Sequence, residues 1–176
     1  HMPVIVDTLK ILAQNPWYQK LKIVIPVAKS LDKTAFLPYL ESLPFAYELI
    51  DGQAQWVIQA ANAVIVASGT ASLECAVLAK PTCIIYKSSW LNYYLATRWM
   101  QVKYLGLANL LMDKMVLPEL LQTDCTPVEL SKMIQALFEE SIWRDSMLSH
   151  LKDLSALLSP SEGVPLEQTV KNFLLE

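Results

Sequence analysis

An α/β fold built on a doubly wound parallel sheet is what this 176-residue sequence predicts. Three observations predict it. Short β-branched runs alternate with helical segments along most of the chain. One of those runs, Ala63-Val64-Ile65-Val66-Ala67, has almost no polar alternation, as expected of a parallel strand covered on both faces. That run passes directly into Ser68-Gly69-Thr70 and a helix, the kind of junction at which open α/β sheets bind ligands.

Residues 4–14 carry apolar side chains at helical spacing, Leu9 and Leu12 among them, and stop near Asn15-Pro16. Residues 21–27 are short and β-branched and read as a buried strand. Residues 32–40 read as a helix with Asp32 as cap or first-turn acid. Residues 45–50 form a strand closed by the turn pair Asp51-Gly52, and residues 53–61 a helix. After the strand at 63–67 come a helix over 71–79, ended by Pro81, and a strand over 82–86. An aromatic-rich helix is expected over 90–100 and a further strand over 102–107. The remainder reads as helical over 118–122, 127–139, 142–158 and 166–175, with one late loop at 159–163.

Bulk properties narrow the function classes. The length suits one compact domain with a core of its own. Hydrophobic residues make up 53% and charged residues 18%, which is apolar for a soluble domain and implies a filled interior, a partner surface left exposed, or both. A net charge of −3 gives no basic stripe for nucleic acid. Charged groups such as Lys80, Lys87, Arg98, Lys103 and Asp113 interrupt every apolar run before it reaches membrane-spanning length. His1-Met2 reads as a cloning remnant, so residues 3–176 form the native domain. Cys75, Cys83 and Cys125 are odd in number, widely spaced and part of no CxxC or Cys/His cluster. That argues against zinc; with no secretion-signal pattern at the start, reduced cytosolic thiols are expected, with Cys75 and Cys83 in the core.

The junction at residues 64–74 carries the chemistry. Gly69 lacks a Cβ, so a phosphate can approach the backbone closely. The following helix offers unpaired N–H groups and the positive end of its dipole, and Ser68 and Thr70 add hydroxyl donors. Glu74 lies one turn into the helix, placed for a ribose or sugar hydroxyl. A plainer reading has equal weight on physics alone: Gly69 makes the turn and Thr70 caps the helix. Glu74 follows Thr70 by four residues rather than the three of a capping box.

Residues 67–74 also resemble the Ser-Gly-Thr-x-x-Leu-Glu signature of GT-B glycosyltransferases, most closely the lipid-A-disaccharide synthase family. Lys80-Pro81, Ile85-Tyr86-Lys87 and the stretch from Tyr93 to Arg98 continue the likeness. So do Gly106-Leu107-Ala108-Asn109-Leu110-Leu111 and Val116-Leu117-Pro118-Glu119-Leu120-Leu121-Gln122, and the match runs over residues 3–140. The resemblance implies the nucleotide-sugar-binding, C-terminal half of a two-domain GT-B enzyme of lipid A synthesis. Such an enzyme moves 2,3-diacylglucosamine from UDP to 2,3-diacylglucosamine 1-phosphate (lipid X), inverting the anomeric centre without metal or cofactor. It implies that Ser68, Gly69 and Thr70 contact the diphosphate, Glu74 the ribose, and Asn109 the phosphates as the catalytic group. Glu119 and Gln122 would face the donor sugar, and Pro26 to Ala28 the uracil.

Two departures accompany the likeness. The family carries a Leu-Pro-Gly-Ser-Arg segment just before the first helix, and this chain starts at that helix. The general base and acceptor site would lie in an N-terminal domain, so this piece alone is expected to be inactive. The family's Ala-Gly-Arg is Met112-Asp113-Lys114 here, and a lysine cannot reproduce the two-pronged contact of an arginine. The expected setting is cytoplasmic and peripheral to a membrane, with homo-oligomers as a further partner class.

Other residues carry competing readings. Trp90, Tyr93, Tyr94, Trp99 and Met100, with Lys87, Arg98 and Lys103 nearby, suit either a lipid-facing patch or packing against the sheet or a subunit. His150 reads as an exposed histidine, and Glu139, Glu140 and Asp145 as solvated helix faces. The last helix, with Val170, Phe173, Leu174 and Leu175, would dock on a core. Alternatives are another UDP-sugar enzyme, such as the peptidoglycan N-acetylglucosaminyltransferase or a UDP-GlcNAc epimerase, and a non-catalytic nucleotide or phosphosugar module. A response-regulator-like domain is disfavoured by Ser68-Gly69 after the strand.

Overall fold

A computed structural model describes residues 1–88 and 103–158. The expected helices over 90–100 and 166–175 and the loop over 159–163 lie outside the described residues. Helix α1 (Met2–Leu12) starts with Pro3 in its first turn, where the missing N–H costs nothing, and buries Val6, Leu9 and Leu12 on one face. A short 3₁₀ turn (Pro16–Lys20) follows, its start fixed by the Asn15 side chain accepting from the Trp17 N–H at 3.0 Å. Strand β1 (Lys22–Val27) then leads through a one-turn helix α2 (Leu37–Leu40) to β2 (Ala46–Asp51). Helix α3 (Ala54–Ala60) connects to β3 (Val64–Ala67), α4 (Thr70–Val77) and β4 (Thr82–Tyr86). Helix α5 (Leu107–Leu111), β5 (Glu119–Leu121), α6 (Pro127–Phe138) and α7 (Ile142–Leu158) complete the described chain.

Among the described residues all strand pairings are parallel, in two ladders: β1 with β2, and β3–β4–β5 in that order. The α/β class and the parallel pairing therefore agree with the sequence reading, and no ladder joins β1 to β3 among the described residues. Helices cover both sides of the strands. Helix α1 packs chiefly on α6 and also touches α2; α4 packs on α7 and α5, and α3 on β1. The core centres on β4, whose Cys83, Ile84 and Ile85 are buried beneath Leu117, Leu130, Leu137, Leu151 and Leu154. Lys80 reaches back from the α4–β4 turn to the carbonyls of Gln59 and Ala61. A cation at the carboxyl end of α3 complements its dipole.

Several elements differ from the sequence reading, each for a local reason. Residues 118–122 are not helical: Glu119–Leu121 form β5, parallel to β4, with Leu120 buried and its neighbours half-buried. The run is too short for its period to decide between strand and helix, and Pro118 is compatible with a strand's start. Residues 103–106 are irregular rather than a strand, because their N–H groups serve a carboxylate instead of a ladder. The expected helix at 32–40 breaks into a 3₁₀ turn (Lys33–Ala35) and α2, with Pro38 unable to donate a helical N–H. Asp32 does cap it, accepting from the Thr34 N–H at 2.9 Å. The β3 run is only partly covered: Val64, Ile65 and Val66 are half-buried and Ala67 is exposed, because β3 ends its ladder.

The three cysteines are free and fully buried. Burial pushes the Cys75 thiol up to about 11 and the Cys83 thiol up to about 12, and also raises Cys125. The expected outcome with a thiol-specific chromogenic reagent at pH 8 is no labelling of these three in the native protein and full labelling in urea. The folded state holds protons that the unfolded state releases from about pH 8.5 upward. Unfolding free energy therefore falls as pH rises from there toward 11–12. Urea titrations of Cys83→Ala, which removes one such group, should show a shallower decline.

Candidate functional site

The carboxyl ends of β3, β4 and β5 lie side by side. The Ser68 N–H donates to Ile85 O at 3.1 Å and the Gln122 N–H to Tyr86 O at 2.8 Å. Between β3 and α4 the backbone turns at Gly69, with φ +147° and ψ −165°, a region closed to residues with a Cβ. A Cβ placed on Gly69 would meet no heavy atom within 4 Å. Glycine is therefore required here by the backbone and not by packing, and among the described residues none closes the space above it. Gly69 and Thr70 are exposed, Ser68 and Glu74 half-buried. The Ser72 N–H and hydroxyl both donate to Gly69 O, at 3.1 and 2.6 Å. That tie fixes the turn. By helix geometry the Thr70 and Ala71 N–H groups lack helical partners and face the open end. Thr70 is the first helical residue rather than the cap, and among the described residues no side chain caps α4.

Behind this turn is a polar cluster. The Asn109 side chain is fully buried. Its Nδ2 donates to Leu117 O and to Glu119 Oε1, each at 2.7 Å, and its Oδ1 accepts from the Val116 and Leu117 N–H groups, each at 2.8 Å. Two donor hydrogens and two lone pairs exhaust a primary amide. Glu119 in turn accepts from the Leu105 N–H at 3.0 Å and the Gly106 N–H at 2.9 Å. Ser68 Oγ donates to Leu105 O at 2.8 Å. One network thus runs from β5 through α5 and the 103–106 loop to the Ser68 turn. Gly106 belongs to it through close packing: an added Cβ would collide with the Ile84 side chain.

These contacts describe the surroundings of two of the expected site residues. Asn109 has its hydrogen-bonding capacity filled inside the chain by Leu117 O, Glu119 and the Val116 and Leu117 N–H groups. Glu119 is engaged with the backbone N–H groups of Leu105 and Gly106. Gln122, buried and in the left-handed region at φ +46°, accepts from the Ser88 N–H at 2.9 Å. It shares a small cleft of about 230 Å³ with Lys87, Ser88 and Thr123 at the same sheet edge. Pro26 is half-buried and Ala28 exposed at the carboxyl end of β1. No hydrogen bond joins them to residues 68–74 among the described residues. Lys114, in the position of the family's arginine, has its Nζ 2.9 Å from His150 Nε2. His150 is thus half-buried and engaged rather than a free surface residue. Sequence reasoning had not singled out Leu105 and Gly106, whose contributions are backbone N–H groups with no side-chain signal. A wider apolar concavity of about 610 Å³ between Pro16, Trp17, Lys20 and Leu21 lies at the amino end of β1, away from this edge.

Comparison with known proteins places this geometry in context. A family model described as lipid-A-disaccharide synthetase matches residues 1–162. Lipid-A-disaccharide synthase 1 of Legionella pneumophila (strain Philadelphia 1) is 45% identical over 164 residues, 93% of this chain and 42% of that protein. The lipid-A-disaccharide synthase of Anaeromyxobacter dehalogenans (strain 2CP-C) is 33% identical over 146 residues, 82% of this chain and 38% of that protein. That of Hahella chejuensis is 33% identical over 177 residues, 98% of this chain and 43% of that protein. The chain spans about two fifths of the length of the curated relatives it matches.

If Asn109 acts by positioning, Asn109→Ala leaves the Val116 and Leu117 N–H groups buried without an acceptor. The expected loss is about 2–4 kcal/mol, read by urea unfolding, while a residue reserved for ligand would cost little. Gly106→Ala should also destabilise, through the collision with Ile84.

Proposed function

This chain belongs to the lipid-A-disaccharide synthetase family, and from that premise we propose that it is the part of a glycosyltransferase that holds UDP-2,3-diacylglucosamine. The acceptor is 2,3-diacylglucosamine 1-phosphate, and the product is the lipid A disaccharide. The observation that supports this most directly is the Ser68-Gly69-Thr70 turn: an open glycine at the carboxyl end of a parallel strand, feeding a helix. The Thr70 and Ala71 N–H groups and the α4 dipole suit a diphosphate. Glu74, one turn further, suits the ribose hydroxyls. Lys87 lines the cleft beside Gln122 at this sheet edge, and Lys114 follows α5. They would compensate the charge that builds on UDP as the glycosidic bond to it breaks. The transfer is read as inverting and independent of metal, with the general base supplied from the rest of the protein.

In this reading residues 3–176 form the donor-binding domain, and the acceptor site and base belong to another domain of the same protein. No described helix is long and apolar enough to cross a membrane. The enzyme is placed at the cytoplasmic membrane surface, where its acylated substrates reside.

Thr70→Pro separates phosphate binding from folding. Proline is favoured at a first helical position, so the fold should persist while one N–H is lost. In the full-length enzyme, calorimetric titration of UDP should show affinity reduced about tenfold, equivalent to ~1.4 kcal/mol, with the melting temperature little changed. Unaltered UDP affinity would count against the turn as the diphosphate site. The isolated chain should form no disaccharide from donor and acceptor under conditions where the full-length enzyme does; product formation by the chain alone would contradict the division of labour.

A further inference from the structure

We propose that the cleft bounded by Lys87, Ser88, Gln122 and Thr123 is a second anion site, separate from the Ser68-Gly69-Thr70 turn, and that it takes the phosphate monoester of the acceptor. The identity of that ligand rests on the proposed donor-domain function; the preference of the cleft for an anion does not.

The cleft opens where the chain leaves β4 at Lys87-Ser88 and leaves β5 at Gln122-Thr123. Its walls are fixed by Gln122. The Gln122 N–H extends the ladder to Tyr86 O at 2.8 Å, yet the residue sits in the left-handed region at φ +46°. A side chain with a Cβ holds that conformation at a cost, and such strain clusters where ligands are clamped. The buried Gln122 side chain then crosses to the end of β4, where its Oε1 accepts from the Ser88 N–H at 2.9 Å. That bond orients the amide, so the group Gln122 has to offer a ligand is its N–H2.

The other groups on the walls favour an anion as well. Lys87 is exposed, and its Nζ lies 3.5 Å from Cys125 O, which turns the ammonium toward the β5 side and holds it only weakly. Among the described residues no carboxylate lies within ion-pair distance of Lys87, and none lines the cleft. Glu119, on the same strand as Gln122, is engaged with the Leu105 and Gly106 N–H groups. Exposed Thr123 adds a hydroxyl. A sugar ring needs acceptors for its hydroxyl protons, whereas a phosphate oxygen only accepts, and an ammonium with neutral donors around it suits the phosphate.

Size and place narrow the ligand further. A volume of about 230 Å³ is below the ~300–1,000 Å³ of pockets that enclose a whole small molecule, so the cleft suits one group of a larger ligand. Gln122 stands two strands from Ser68 along the same carboxyl edge, about 10 Å at the usual strand spacing. That is too far for the two phosphorus atoms of one diphosphate, which share a bridging oxygen. It is near enough for two substrates that meet. The acceptor brings its nucleophilic oxygen to the carbon that the diphosphate leaves, and carries its own phosphate on another carbon of the same ring.

Steady-state kinetics of the full-length enzyme test this, with Thr123→Val as the selective variant because Lys87 also serves UDP in the proposed function. The expected result is a KM for 2,3-diacylglucosamine 1-phosphate raised about tenfold, with the donor KM and the calorimetric UDP affinity changed by less than about twofold. Lys87→Gln should raise the acceptor KM at least as much. With the acceptor lacking its phosphate, wild type and Thr123→Val should have the same acceptor KM. Inorganic phosphate should compete with the acceptor in the wild type and lose potency in the variant. An acceptor KM unchanged in both variants would overturn the proposal, as would an equal loss for the acceptor with and without phosphate. A donor KM that rises in step would give the cleft to the donor sugar instead, and phosphate inhibition not competitive with the acceptor would make it an independent phosphate site. Absence of UDP binding by the wild-type enzyme is a different failure: it would remove the donor-domain reading and with it the ligand named here.

Discussion

The carboxylate of Glu119 is the point on which the site's geometry depends. It receives two backbone N–H groups from the 103–106 loop and the amide of Asn109. A half-buried anion is tolerable only when its lone pairs are filled by such donors. Asn109, with no exposure of its own, is held at its other end by the backbone of Val116 and Leu117. The loop so fixed gives its Leu105 carbonyl to Ser68. Strand β5, helix α5 and the turn after β3 are thereby locked in one arrangement. The arrangement needs three things: an amide, a carboxylate ten residues later, and a glycine between β4 and the loop.

This network separates two jobs that a sequence motif runs together. The groups that face outward are few and mostly backbone: the Gly69 turn and the first N–H groups of α4. The polar side chains with the most specific pattern, Asn109 and Glu119, face inward and set the outward groups in place. Preorganised N–H groups in a fixed turn can stabilise a leaving diphosphate without reorganising when charge develops. Their positions are set by the inward-facing Asn109 and Glu119 through the 103–106 loop. A division of this kind makes the inward residues as informative a signature as the contacting ones.

The legible part of the fold was the part whose periodicity is strong. Helices α1, α6 and α7 and strands β1 to β4 are long or apolar enough for spacing to decide, and the Ser68-Gly69-Thr70 junction stands out because a glycine interrupts an apolar strand. Strand β5 was hidden because three residues do not establish a period, and Pro118 and Glu119 suit a helix's first turn as well as a strand's start. The contacts of Asn109 were not legible because side-chain identity does not reveal which way the residue faces. Only its four hydrogen bonds, two of them to backbone N–H groups seven and eight residues on, show it to be a clamp. Likewise, the apolar β3 read as an interior strand, and its partial exposure follows from the lack of a neighbour on one side.

The most direct test of the account is a UDP titration of the isotope-labelled full-length protein, followed by NMR at the Ser68, Gly69 and Thr70 amides and at the side-chain amide of Asn109. The account predicts saturable shifts at the three backbone amides while the Asn109 Nδ2 protons stay slow to exchange and keep their partners. Direct engagement of the Asn109 amide by the nucleotide, with the 68–70 amides unmoved, would contradict it.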